Sequence, residues 1–411
     1  MNILIYNQSS LIDSKAGSEV LTHKLSQSLS SLGHISTVVT RGDSDRSLTF
    51  EEVLYLQFRR GVLNKFINFY TEKKFEDAVI DIVDKGKVDL LVLCSFKNFP
   101  LLLLKKLKDM NVKIVFLVLD YNSICASIKV FNYIEYKICD NFSDHFRCFE
   151  CQVRPKVKYD IVFSIIKKLY RYIIKVPIPY LHYYQNRLEI NRKFLSYIDV
   201  FVYSNSTALK TIKAIINPRK NVVIEFPVAP RVGVMPIKLS CANDFSFGFI
   251  GSAIAEKGLL ELINSFPVLY ENRLVIYTKL SDNNYSNSIK KIINRSSHQF
   301  MGEFEYSDIE KVFGSIQVLI IPSLWVENSP LVFNDALSFS KPVIVPRSSS
   351  LAEIVEENKF GWVYDSLTDL TEIILYLIKN PEIINETGHH ILNNFKTVSY
   401  RDYASKVIST V

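Results

Sequence analysis

Two carboxylates, Glu327 and Asp335, stand with seven residues between them, and Pro330 lies in the interval. Ionised carboxylates accept bidentate hydrogen bonds, which suits them to the paired hydroxyls of a sugar or a ribose. Proline fits the first position of a helix, and a helix start presents unpaired N–H groups and a positive dipole end, a place for a diphosphate. A lysine closes another turn of small residues, Gly251-Ser252-Ala253-Ile254-Ala255-Glu256-Lys257-Gly258, and could add its charge to the same phosphates. Asp120 ends an apolar run and reads either as a base or acceptor-orienting group or as a plain strand-end cap. Cys125, Cys139, Cys148 and Cys151 are four of the six cysteines, the last two forming a C-x-x-C, which leaves structural zinc, free thiols or redox chemistry open.

Each of these groups needs an element to hold it. Val318-Leu319-Ile320-Ile321 reads as a buried strand, Trp325 to Ser329 as a loop, Pro330 onward as a helix, and Val343-Ile344-Val345 as the next strand, one βαβ unit of a parallel sheet. Phe245 to Ile250 is a strand leading into the Gly251–Gly258 turn, with a helix from Leu259. At the other end of the chain, Ile3 to Tyr6 and Ile35 to Thr40 are strands around a helix that starts at Gly17 and carries leucines at 21, 25, 29 and 32. Asp89 to Cys94 and Val112 to Leu119 are further buried strands, and residues 42 to 87 read as helix-rich.

The Pro322-Ser323, Trp325-x-Glu327, Asn328-Ser329-Pro330-Leu331 and Lys341-Pro342-Val343-Ile344 pieces together resemble the E-x7-E signature of retaining glycosyltransferases of family 4, the glycosyl transferases group 1. Here the second Glu is Asp335. Gly251 to Gly258 resembles that family's G-R-x-x-x-x-K-G phosphate loop, with Ser252 in place of Arg. Leu119-Asp120-Tyr121 through Cys125 resembles a His-Asp-Tyr-Trp…Cys stretch, with Leu119 in place of His. His298 to Glu303 is similar to the strand end whose backbone faces the nucleobase, which brings in Gly302. The resemblance implies a GT-B architecture, two Rossmann-like doubly wound α/β domains facing across a cleft. It further implies a nucleotide-sugar donor held by Gly17, Gly251, Ser252, Lys257, Gly302, Glu327, Asn328, Ser329, Pro330, Leu331 and Asp335. Glu327, Asp120 and Lys257 would serve the chemistry, and no cofactor or catalytic metal is required.

The boundaries expected on this reading are an acceptor-side domain over 1–228, a linker over 229–244, a donor domain over 245–385 and a C-terminal helix over 386–411 crossing back. A Cys-rich insertion falls at about 125–151. Net charge is +7, and the segment 147–193 alone holds eleven Lys/Arg against three Asp/Glu. Within it, Ile165, Leu169, Tyr172 and Ile173 share one helical face beside Lys167, Lys168, Arg171 and Lys175, a pattern suited to an anionic membrane surface or to a solvated edge. No nucleic-acid motif accompanies the charge. No apolar run approaches the roughly 18 residues of a spanning helix, and the N-terminus lacks a basic leader, so a cytoplasmic protein, peripheral on the membrane at most, is expected.

The function so implied is transfer of a sugar to a glycan or lipid-linked glycan acceptor, in surface polysaccharide synthesis. A nucleotide-sugar hydrolase or epimerase of the same architecture and a non-catalytic partner in a glycan-assembly complex are the alternatives. A nicotinamide dehydrogenase ranks below them, because no G-x-G-x-x-G follows a strand.

Overall fold

The computed structural model describes residues 1–14, 17–60, 71–153, 179–228, 246–267, 273–293, 298–305, 308–328 and 330–411. It divides into two compact units, residues 1–226 with 400–411, and residues 227–399.

In the first unit the elements run β1 (Asn2–Tyr6), α1 (Gly17–Ser31), β2 (Ile35–Gly42), β3 (Arg46–Phe50), β4 (Val53–Arg59), α2 (Lys73–Gly86), β5 (Leu90–Leu93), α3 (Leu101–Asp109) and β6 (Lys113–Leu117). There follow β7 (Phe131–Asn132), β8 (Lys137–Ile138), α4 (His145–Val153), α5 (Pro179–Leu195), β9 (Val200–Tyr203), α6 (Ser206–Lys213) and β10 (Asn221–Val223). Eight strands form one sheet in the order β10-β9-β6-β5-β1-β2-β4-β3, parallel except for the β3–β4 pair. Strands buried on both faces read as continuous apolar runs, and Leu90–Leu93 and Ile114–Leu117 are of that kind.

Of the stretch 42–87 expected to be helix-rich, Lys73–Gly86 is helix α2, but Arg46–Arg59 is the β3–β4 hairpin. Glu51 and Glu52 make its two-residue turn with φ of 44° and 68°. That left-handed geometry belongs to the tight hairpin turns usually marked by Asn or Gly, and here it carries two glutamates.

The second unit runs β11 (Ser246–Ile250), α7 (Leu259–Ser265), β12 (Arg273–Tyr277), α8 (Asn284–Ile293), β13 (Gln299–Gly302), α9 (Ile309–Gly314) and β14 (Val318–Ile320). It continues with α10 (Leu331–Ser338), β15 (Val343–Pro346), α11 (Ala352–Glu357), β16 (Gly361–Tyr364), α12 (Leu367–Lys379) and α13 (Pro381–Asn394). Its six strands are all parallel, in the order β13-β12-β11-β14-β15-β16. Strand alternation sorts the core. Phe247, Phe249, Val318 and Ile320 pack with α7 and α12 on one face. Leu319, Ile321 and Val343 pack with α9, α10 and α11 on the other. This is the doubly wound pattern whose strand order reverses once, between β11 and β14, and ligands of such sheets sit beyond the strand ends at that reversal.

The C-terminal helix expected over 386–411 is two separate pieces. α13 stays in the second unit, while α14 (Tyr400–Ile408) packs on α1 in the first. There Tyr403 is buried and Lys220 Nζ donates to the Thr410 carbonyl at 2.6 Å. The expected linker over 229–244 lies outside the described residues.

Candidate active site

Lys257 and Glu327 are 70 residues apart in sequence, yet they meet where the second sheet reverses. β11 delivers the Gly251–Gly258 turn and its neighbour β14 delivers the Pro322–Asn328 loop. The two loops are joined by backbone: Leu324 N–H donates to the Glu256 carbonyl at 2.9 Å. Gly258 makes the approach workable. It holds φ of 69°, and a Cβ there would overlap the Pro322 carbonyl oxygen. Gly258→Ala is therefore expected to lower the thermal midpoint by several degrees, the left-handed backbone alone costing about 1–3 kcal/mol. A thermal melt of the variant checks this, and an unchanged midpoint would contradict the packing described.

The side chains converge on one carboxylate. Lys257 Nζ lies 2.5 Å from Glu327 Oε1, and Ser323 Oγ donates to the same oxygen at 2.6 Å. Ser350 Oγ donates to the Glu327 backbone carbonyl. Glu327 is 3% exposed, whereas Lys257 is 22% exposed and its ammonium lies 5.6 Å from the centre of the Trp325 ring. The buried charge is thus paired and hydrogen-bonded, as burial of a charge requires. The sequence had assigned Lys257 to phosphate and Glu327 to sugar separately; the structure makes them partners. Ser323 belongs to the Pro322-Ser323 piece of the sequence pattern, but neither it nor Ser350 is a site residue on the sequence reading; their hydrogen bonds to Glu327 come from the structure.

The same loop leads into α10. Pro330 is its cap with φ of −66°, no side chain caps it, and no acidic residue occupies its first turn. Asn328 is buried, and Asp335 is buried in the second turn. Ser329 lies outside the described residues. Gly251 and Ser252 share the Lys257 turn. Gly302, with φ of 80°, ends β13, which β12 separates from β11.

In the first unit, Gly17 opens α1. That helix start carries its own anion. Glu19 is buried in the first turn and accepts from Ser9 Oγ at 2.6 Å and Ser18 Oγ at 2.7 Å. A phosphate placed there would meet this carboxylate, so of the two helix starts α10 is the better anion site.

Asp120 follows β6 and is half-buried. Burial pushes its carboxyl up to about 6, against the pull of the Asn122 N–H, Lys97, Arg187 and Ser95. The Asn122 N–H donates to Oδ1 at 2.8 Å. α5 holds this loop from behind, a contact not foreseen. Arg187 donates to the carbonyls of Asn122 and Cys125, and Asn191 Nδ2 donates to the Ser123 carbonyl at 2.6 Å.

Cys125, Cys139, Cys148 and Cys151 are free thiols. Among the described residues, no group of three or more His, Cys, Asp or Glu side chains is gathered into a ready metal shell. The basic segment 147–193 is described only at its two ends, and the amphipathic stretch 161–175 lies outside the described residues. Among the described residues no helix is long and apolar enough to cross a membrane.

Two doubly wound parallel-sheet units in one chain, one with a cation–carboxylate pair at its switch point, define the GT-B class. Solved GT-B structures bear this out. Sucrose-phosphate synthase from Thermosynechococcus elongatus superposes with a TM-score of 0.69 at 13% identity, covering 100% of this chain and 98% of that one. Anabaena HepE in complex with UDP and glucose gives a TM-score of 0.67 at 14% identity, with full coverage of both chains, 100% and 100%. The lipopolysaccharide outer core galactosyltransferase WaaB gives 0.64 at 14%, covering 100% and 99%. Residues 237–394 match the family model of glycosyl transferases group 1. A protein from the cps region of Klebsiella pneumoniae, described only as an uncharacterized 42.6 kDa protein, is 20% identical over 375 residues, 86% of this chain and 87% of its own length.

Proposed function

We propose that this chain is a retaining glycosyltransferase that moves a sugar from a nucleotide-sugar donor to a glycan or lipid-linked glycan acceptor during surface polysaccharide synthesis. The observation that carries the reading is the Lys257–Glu327 pair beside the start of α10, in the unit that matches the glycosyltransferase family. The cps-region relative and the neighbouring sugar transferases support the pathway class and the donor class.

In this reading the diphosphate lies against the amides that open α10. As the bond from anomeric carbon to diphosphate oxygen breaks, Lys257 receives the charge that develops on the leaving oxygen. A fixed positive group aimed at developing charge is worth more in the transition state than in the ground state. Glu327 holds donor-sugar hydroxyls and Asp335 the ribose. Asp120, with its raised carboxyl, is assigned to the acceptor hydroxyl, whose oxygen forms the new bond to the anomeric carbon. The protein supplies the positive field itself, so the transfer calls on no metal.

A thermal-shift screen of UDP, GDP and ADP tests the donor half. The matching diphosphate should raise the midpoint, since a ligand at about 100 times its Kd adds about 2.7 kcal/mol to the folded state. Its nucleotide sugars are then assayed with and without glycan acceptors. No shift with any diphosphate would defeat the reading. Diphosphate release that ignores every acceptor would replace it with hydrolysis.

A further inference from the structure

We propose that Arg187 and Asn191 of α5 are positioning residues for Asp120, fixing the loop that presents its carboxylate. The proposal rests on the acceptor role proposed for Asp120, and it concerns the first unit alone. Geometry carries it. α5 sends two side chains, four residues apart and so on one helical face, into a single loop. Arg187 donates to the carbonyls of Asn122 and Cys125, the second at 3.3 Å, and Asn191 Nδ2 donates to the Ser123 carbonyl at 2.6 Å. The loop belongs to no helix or strand, so its buried carbonyls depend on donors of this kind. Both side chains are themselves buried, Arg187 to 4% exposure. A cation is costly to bury unless its donors are matched, and a packing role alone would be met by an apolar side chain.

The connection to Asp120 runs through Asn122. This residue receives Arg187 at its carbonyl and gives its own N–H to Asp120 Oδ1 at 2.8 Å. Inside the loop the Cys125 N–H returns to the Tyr121 carbonyl at 2.7 Å, and the Tyr121 N–H reaches the Ile128 carbonyl at 2.9 Å. A shift at Asn122 therefore carries the Asp120 carboxylate with it.

Arg187 also acts through its charge. Burial raises the Asp120 carboxyl, and the Asn122 N–H, Lys97 from the turn after β5, Arg187 and Ser95 oppose that rise. From α4, Cys148 also feels Arg187, but burial pushes its thiol up to about 12, so it stays neutral in the working range. Lysine at 187 would keep the charge and lose the planar fork that reaches two carbonyls. The two contributions are thus separable by substitution.

The test compares Arg187→Met, Arg187→Lys and Asn191→Ala with the wild-type chain, in sugar transfer and in melts. Arg187→Met should lower kcat by about 10²-fold, as a misplacement of about 1 Å does. Donor KM should hold, because donor binding is assigned to the second unit. The acid limb of its rate profile should move up by about one pH unit, the low end of what a nearby cation contributes. Arg187→Lys and Asn191→Ala should lose turnover with the limb in place. The melts need no activity. The stability that Asp120→Asn adds should keep growing to a higher pH in the Arg187→Met background than in the wild type, since a carboxyl raised further in the folded protein stays protonated longer. A limb and a melt difference both unmoved in folded Arg187→Met would overturn the proposal and leave Arg187 a packing residue. Should Arg187→Met fail to fold, Arg187→Lys decides, and full kcat in that variant would overturn it. If Asp120→Asn alone keeps the acid limb, the acceptor role of Asp120 fails, and the melts still decide whether Arg187 holds its carboxylate.

Discussion

Glu327→Ala is expected to lower sugar transfer by about 10²–10³-fold, the loss typical of one preorganised polar group acting on the transition state. Binding of the nucleoside diphosphate alone should survive or tighten. The reason lies in the pair. Lys257 Nζ is 2.5 Å from Glu327 Oε1, so without a donor the lysine charge is spent on the carboxylate. Removing the carboxylate frees an ammonium that is 22% exposed and able to accept another anion. It also removes a negative charge that repels the diphosphate. Lys257→Ala works in the opposite direction. It leaves Glu327, 3% exposed, with its Oε1 held among the described residues by Ser323 alone, and a buried charge stripped of its partner is strongly destabilising. That variant should lose diphosphate affinity, activity and thermal stability together. Calorimetric titration of the diphosphate into both variants, beside kcat and KM for the donor, separates the cases. Equal loss of diphosphate affinity in the two variants would show that the pair is a structural strut and not a donor site.

Much of the second unit was legible because each strand is an apolar run followed at once by a distinctive turn. Val318–Ile321 with Pro322-Ser323, and Phe245–Ile250 with the Gly251–Gly258 turn, need only neighbours in sequence to be read. The meeting of Lys257 with Glu327 was not legible in that way. It depends on β11 lying beside β14, a long-range pairing that no local pattern states. Arg187 reaching the Asn122 carbonyl, 65 residues away, escaped for the same reason. The β3–β4 hairpin escaped for a different one: Glu51 and Glu52 occupy left-handed positions with side chains that do not advertise them. Gly17 shows how a local reading misses its neighbours. The glycine at the helix start is visible in sequence, but the carboxylate of Glu19, held by Ser9 and Ser18 in the same turn, is not.

Asp120→Asn should cut turnover while making the protein more stable, a combination a structural carboxylate would not give. Burial raises the Asp120 carboxyl from an ordinary value of 3.8 to about 6. The fold thus favours the protonated form. Its contribution to stability is fully present below about pH 3.8 and is lost as pH rises through about 6. Asparagine is neutral at every pH and its carbonyl oxygen can keep the Asn122 N–H bond. The variant should therefore melt with the wild-type protein near pH 4 and above it at pH 8, by about 1–2 kcal/mol once partial exposure is discounted. Turnover tells the other half. A carboxylate that handles the acceptor proton contributes about 10²–10⁴-fold, and its ionisation should give the wild-type rate an acid limb near pH 6 that the variant lacks. Paired melts and pH–rate profiles at saturating donor decide the matter. If the variant keeps the acid limb, the proton-handling group lies elsewhere; if it is less stable at pH 8, Asp120 is a loop cap and its charge is welcome in the fold.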